Sequence, residues 1–274
     1  MRSPARLDRP ARALRATLAA VCLAALAPFA QSDEPQRITV TGSLRHQVEK
    51  SYRRMIHGMD YFQQRKAALA PQAALRFKLL PRKRGMDLDH MILEVIGSTF
   101  SFEVPVAADR TFVLPRDAKA LNEDAVVTAN RRQLSMTWRA DIRSPGLPAG
   151  TRRLGDLRLE CEVGHEAGLI SNDPVGRVVE LLTDSRSYCS GKNPLYLFFA
   201  DRPLFSVTLV AGARREVLPI DRLYAGASDD PGLKHDLPYC DCEVLVDRTY
   251  FLPLGDPSWP DDTRVEFEYM DDGR

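Results

Sequence analysis

The chain has 274 residues, 44% of them hydrophobic and 27% charged, with 38 basic against 37 acidic side chains. That composition supports a globular core rather than a disordered chain. A net charge of +1, with no aromatic–basic motif, excludes a dedicated nucleic-acid binder.

Residues 1–32 read as a signal peptide. Arg2, Arg6, Arg9, Arg12 and Arg15 precede an apolar run from Ala16 to Ala30, and Ala30-Gln31-Ser32 places small residues at both gate positions of a cut after Ser32. The run is too short for a spanning helix. No twin-arginine pair precedes it, and Val21 beside Cys22 departs from the lipid-attachment pattern. The expected mature chain is a periplasmic or secreted bacterial protein exported by the Sec-type route, with no transmembrane span left after signal removal.

Residues 33–70 form the next segment, an amphipathic helix predicted from Ser43 to Lys66. Leu44, Val48, Tyr52, Met55, Ile56, Met59 and Phe62 recur at three- and four-residue steps, Ser43 suits an N-cap, and Pro71 follows the end. Residues 71–170 have the texture of a first β-sandwich region. Strands are predicted at Arg76–Leu79, Met91–Ile96, Phe100–Val106, Thr111–Leu114, Val126–Ala129, Leu134–Ile142 and Leu157–Val163. Residues 171–194 read as a connector with a short helix at Pro174–Leu182. Residues 195–274 read as a second β-sandwich region, with strands at Leu195–Phe199, Phe205–Val210, Glu216–Leu218, Glu243–Val246, Thr249–Leu252 and Arg264–Tyr269. The fold class expected is mainly β: an antiparallel β-sandwich architecture, one large or two small, with an N-terminal amphipathic helix.

Two short stretches resemble known families. Ile38-Thr39-Val40-Thr41-Gly42-Ser43 resembles the segment that opens the plug of TonB-dependent outer-membrane receptors. The Val104–Leu114 hairpin resembles that of transthyretin-like and carboxypeptidase-regulatory β-sandwiches, which carry a glycine where Arg110 stands. Neither resemblance transfers a functional residue.

Charge is unevenly spread. Twelve basic residues face two acidic ones between Gln36 and Gly85, whereas fourteen acidic face five basic between Asp221 and Arg274. The simplest expectation is that the two ends face each other; a polyanion-binding face is the alternative.

Four cysteines follow the leader: Cys161, Cys189, Cys240 and Cys242. In an oxidising compartment an even number reads as disulfides. Cys161 alternates in phase with Leu157, Leu159 and Val163, and Cys240 and Cys242 with Val244 and Val246, so all three point inward if those segments are strands. Two cysteines two apart on one strand are badly placed to bond each other. The expectation is therefore that Cys161 and Cys189 each pair with Cys240 or Cys242.

Catalytic patterns are missing: no Gly-x-Ser-x-Gly elbow, Ser-x-x-Lys pair, phosphate loop or dinucleotide fingerprint occurs. His165-Glu166 lacks the second histidine of a zinc-protease helix, since Leu169 stands there. His235, Cys240 and Cys242 supply an imidazole and two thiols, a donor set for Zn²⁺ or Cu(I). Asp87 and Asp89 share a face if their segment is a strand. Trp259, between Ser258 and Pro260, reads as a surface aromatic fit to stack on a sugar, whereas Trp138 reads as core.

The function expected is a non-catalytic envelope protein that binds a protein or envelope-component partner and needs no cofactor. A carbohydrate-active or glycan-binding protein is the alternative, and metal handling at His235/Cys240/Cys242 the next. N-terminal sequencing of the exported protein should begin at Asp33; retention of residues 1–32 would remove the oxidising compartment from this reading.

Overall fold

The computed structural model describes residues 47–83, 85–170, 182–191, 196–225 and 245–272. The protein is mainly β, built from antiparallel sheets with few helices. Strand β1 (Gln47–Ser51) runs directly into helix α1 (Tyr52–Leu69). It pairs with β6 (Val126–Arg132), which pairs in turn with β3 (Leu93–Ile96), and β3 with β4 (Ser101–Glu103), all antiparallel. A second sheet places β2 (Ala74–Pro81) between β5 (Thr111–Phe112) and β7 (Met136–Arg143). Helix α2 (Ala118–Asn122) leads into β6. One apolar cluster joins these two sheets to α1, with Tyr52, Met55, Phe77, Val95, Val127 and Trp138 among its members.

Helix α1 starts later than the Ser43-to-Lys66 reading placed it. Gln47–Ser51 is drawn into the sheet, and Ser51, not Ser43, caps the helix by accepting from the Arg54 amide at 3.3 Å. Tyr52 anchors that end. Its buried hydroxyl donates to the Pro115 carbonyl and accepts from the Asp117 amide, both at 2.7 Å.

In the second half, β8 (Thr151–Arg153) ends where helix α3 (Leu154–Glu166) begins. A sheet of order β11-β10-β13-β8 contains β10 (Leu204–Ala211), β11 (Arg214–Val217) and β13 (Arg264–Tyr269). Strands β9 (Phe198–Phe199) and β12 (Thr249–Tyr250) form a two-stranded ribbon. Val246, expected in a strand, opens a 3₁₀ turn at Val246–Arg248. The predicted helix at Pro174–Leu182 lies outside the described residues except for Leu182, and strand residues Glu243 and Val244 and the six residues Ile38–Ser43 lie outside them too.

The main correction is α3. The alternation of Leu157, Leu159, Cys161 and Val163 reads as a strand, yet the segment is helical and buried on every side. Leu154, Leu157 and Cys161 join the core of the second half, whereas Leu159 and Val163 pack with Phe62, Ala140 and Ile142. A helix with apolar neighbours on two sides can hide its charged residues between them, so period-two hydrophobicity no longer marks a strand. The first amides of α3 donate to backbone carbonyls of another segment, Leu154 to Thr263 and Gly155 to Asp261, both at 2.9 Å. Gly155 is required there: a Cβ would lie 2.2 Å from the Leu69 carbonyl oxygen. At the other end Gly168, with φ +69°, takes the left-handed turn that stops the helix.

Helix α3 also carries the disulfide. Cys161 bonds Cys189, which ends the short helix α4 (Ser185–Cys189). The expected pairing of Cys161 and Cys189 with Cys240 and Cys242 is thereby overturned, because it assumed a strand phase for Cys161. Cys240 and Cys242 lie outside the described residues. Non-reducing peptide mapping should recover Cys161 joined to Cys189. Replacing both by Ala should cost about 3–4 kcal/mol for a loop of this size, with separation 28. A Cys161 peptide joined to Cys240 or Cys242 would contradict the arrangement.

Candidate functional site

Two regions among the described residues combine shape with chemistry, and their volumes separate them. The first is a polar layer between β7, β8 and α3. Along β7 the even residues Met136, Trp138, Ala140 and Ile142 face apolar clusters, while Arg139 and Asp141 on the other face are buried too. Glu160 of α3 accepts from Arg152 at 2.6 Å and from the Ile142 amide at 3.0 Å, and Arg152 also donates to the Ile142 carbonyl at 2.5 Å. Burial opposes both charges. For Arg152 the field of Glu160 outweighs burial and holds the guanidinium firmly protonated. Burial pushes the Glu160 carboxyl up, opposed by the adjacent Arg152 guanidinium and by its hydrogen bonds from Arg152 and the Ile142 amide.

The layer continues outward. Arg143 pairs with Asp141 at 2.9 Å and with Asp201 at 3.1 Å, and Lys78 bonds Asp201 as well. Burial pushes the Asp201 carboxyl up, but Arg143 and Lys78 together bring it down to about 2. Arg139 donates to the Ile170 and Leu197 carbonyls and lies over the Tyr196 and Phe199 rings. Two openings flank this layer, with volumes of about 40 and 20 Å³. Each has room for roughly one water. The buried Tyr250 hydroxyl, at the larger one, has no hydrogen-bond partner among the described residues. Charges so closely matched, in so little space, hold the fold rather than a ligand.

The second region is a cavity of about 310 Å³ under α1. This is the size at which small-molecule sites begin. Met59, Phe62, Gln63 and Lys66 recur at helical spacing and form one wall. Leu75 and Phe77 alternate onto the facing side of β2, and Val113 and Leu114 close the end. The turn between wall and floor is tight: the Ala70 amide caps α1 at Lys66, and the Ala73 amide returns to Ala70. Phe77 is fixed from behind by stacking on Phe112, which meets Trp138 edge-on. The lining is apolar apart from Gln63 and Lys66.

The residues singled out from the sequence are dispersed. Cys161 and Cys189 come together; His235, with Cys240 and Cys242, lies outside the described residues. Trp259 is a correction. It is 1% exposed and covered by the Arg214 guanidinium at 3.5 Å from its ring, so it offers no open face to a sugar. Arg158 of α3 explains its burial, clamping that loop through the carbonyls of Leu254, Asp256 and Trp259 and the Asp261 carboxylate. Asp87 and Asp89 lie in a turn, not on a strand face; Asp87 accepts from the Asp89 amide and Asp89 pairs with Arg110. Among the described residues, no three His, Cys, Asp or Glu side chains gather as a metal site.

The charged ends also find other partners than each other. Arg53 pairs with Asp124, Arg65 with Glu162 and Lys78 with Asp201. On the acidic side, Asp261 pairs with Arg158, and Asp271 and Asp272 with Arg202.

No family model matches this chain, and neither a curated protein nor a solved structure is similar to it. The site is therefore read from its own geometry. Sequence reading missed the cavity because Met59 and Phe62 belong to a stripe that looks uniformly core-forming. The available signal was Lys66 one turn beyond Phe62.

His165 is buried on α3 with its Nε2 2.9 Å from the Thr183 hydroxyl. Burial drives the imidazole pKa down; Glu166 and Asp184 oppose this and Arg54 reinforces it. The folded chain thus refuses a proton that the unfolded chain accepts below the ordinary value of 6.5. Unfolding free energy should fall as pH drops through that value, and urea titrations of His165→Gln should show a flatter profile. An unchanged profile would contradict the assignment.

Proposed function

We propose that this is an exported protein of the periplasm or extracellular space that works by binding, and that the cavity under α1 is its binding site. The observation that carries the reading is the cavity's size and apolar lining, set against polar openings that hold about one water each. The buried carboxylates of α3 support it. Asp156, Glu160 and Glu162 are each taken up by structural partners, namely Ser144, Arg152, and Arg65 with Tyr61.

Export rests on the leader pattern of residues 1–32, and the Cys161–Cys189 bond suits an oxidising compartment. We read the two sheets that share a core with α1 as the layers of a sandwich, with α1 closing one open side. The partner on this reading is an apolar component of the envelope.

Titration of the mature protein with the neutral apolar dye N-phenyl-1-naphthylamine tests the site. One saturable site per chain is expected. Ala74→Phe, at an exposed residue that lines the cavity, should abolish it without changing the melting temperature. Absence of saturable binding, or binding unaffected by Ala74→Phe, would contradict the proposal.

A further inference from the structure

We propose that the ligand of this cavity is a single-chain amphiphile with a carboxylate head, seated tail-inward with its head at Lys66. The inference rests on the cavity being the binding site and adds the chemistry of what fills it. At about 30 Å³ per water-sized group, 310 Å³ accommodates roughly ten methylene-sized groups in one chain. The walls are thioether, aromatic and aliphatic, which favours a hydrocarbon tail over a polar ring.

The head is argued from the two polar groups of the lining. Lys66 sits in the last turn of α1 with its ammonium 5.5 Å from the Phe62 ring centre, its stem along the apolar wall. Other cations nearby are occupied: Arg65 by Glu162, Lys78 by Asp201 and Arg116 by Asp60. Lys66 has no acidic partner among the described residues, and the Gln63 amide has no hydrogen-bond partner among them. One ammonium and one amide, a turn apart on the same helix face, match the two oxygens of a carboxylate. A single cation at the rim balances a single negative charge and repels a cationic head.

Displacement of the dye by dodecanoate and dodecyltrimethylammonium below their micelle concentrations, and by dodecanol below its solubility limit, tests this. Dodecanoate should bind roughly three- to thirtyfold more tightly than dodecanol, the range spanned by exposed ion pairs and charge-assisted hydrogen bonds. Lys66→Gln should erase that preference, and Lys66→Arg should keep it. Equal binding of dodecanoate and dodecanol, preference for the ammonium amphiphile, or failure of every chain to displace a bound dye would each overturn the proposed head or tail while leaving the cavity as a site. Failure of the dye itself to bind overturns the cavity reading beneath it.

Discussion

The buried ion pair between Arg152 and Glu160 ties the two halves of the molecule to one helix. Arg152 belongs to β8, in the sheet of the second half, and Glu160 to α3. Both reach the same backbone position of β7 in the first half, one through the Ile142 carbonyl and the other through its amide. Taking a guanidinium and a carboxylate out of water is costly, and only full hydrogen bonding offsets it. Removing either partner alone strands a charge, which costs about 3–5 kcal/mol in comparable sites. The pair therefore acts as a constraint on register: β7, β8 and α3 must meet in one arrangement or leave a charge unpaired.

From that anchor, α3 positions its surroundings. Glu162 holds α1 through Tyr61 and Arg65, Asp156 takes the amide and hydroxyl of Ser144, and Arg158 fastens the loop that buries Trp259. Gly58 permits α1 to lie close on this region, since a Cβ there would meet the Ala167 methyl at 2.6 Å. With one side of α1 committed to α3 and its first turns to the core, Met59, Phe62, Gln63 and Lys66 are left over the floor of β2. The cavity follows from how α1 is held. Its walls need no motif of their own.

How much of this was legible in the sequence depended on which residues fixed the local geometry. Strand β13 appears where Arg264–Tyr269 alternates, because one face meets the core and the other meets solvent. Leu157–Val163 alternates just as cleanly and is a helix, because both of its faces are buried and its charges all find partners, Arg158 and Glu162 far along the chain and Glu160 in the preceding strand. That single misreading carried the disulfide with it: once Cys161 is helical, its sulfur meets Cys189. Trp259 followed the same logic, as Ser258 and Pro260 signal a loop but not the arginine that buries it. Arg110 adopts a left-handed φ of +63°, so the turn expected at Asp109-Arg110 is present although arginine is an atypical residue for that conformation. The cavity was beyond reach, because a stripe of apolar residues specifies burial without specifying how fully the space is filled.

Helix α3, locked by its buried carboxylates, should be the last element to come apart. Native-state hydrogen exchange measures this directly. The amides of Leu157 to Glu162 should exchange only through global unfolding, with the same free energy and denaturant dependence as the paired amides of β7. Exchange of α3 by an independent, lower-energy opening, while β7 and β10 remain protected, would contradict the account.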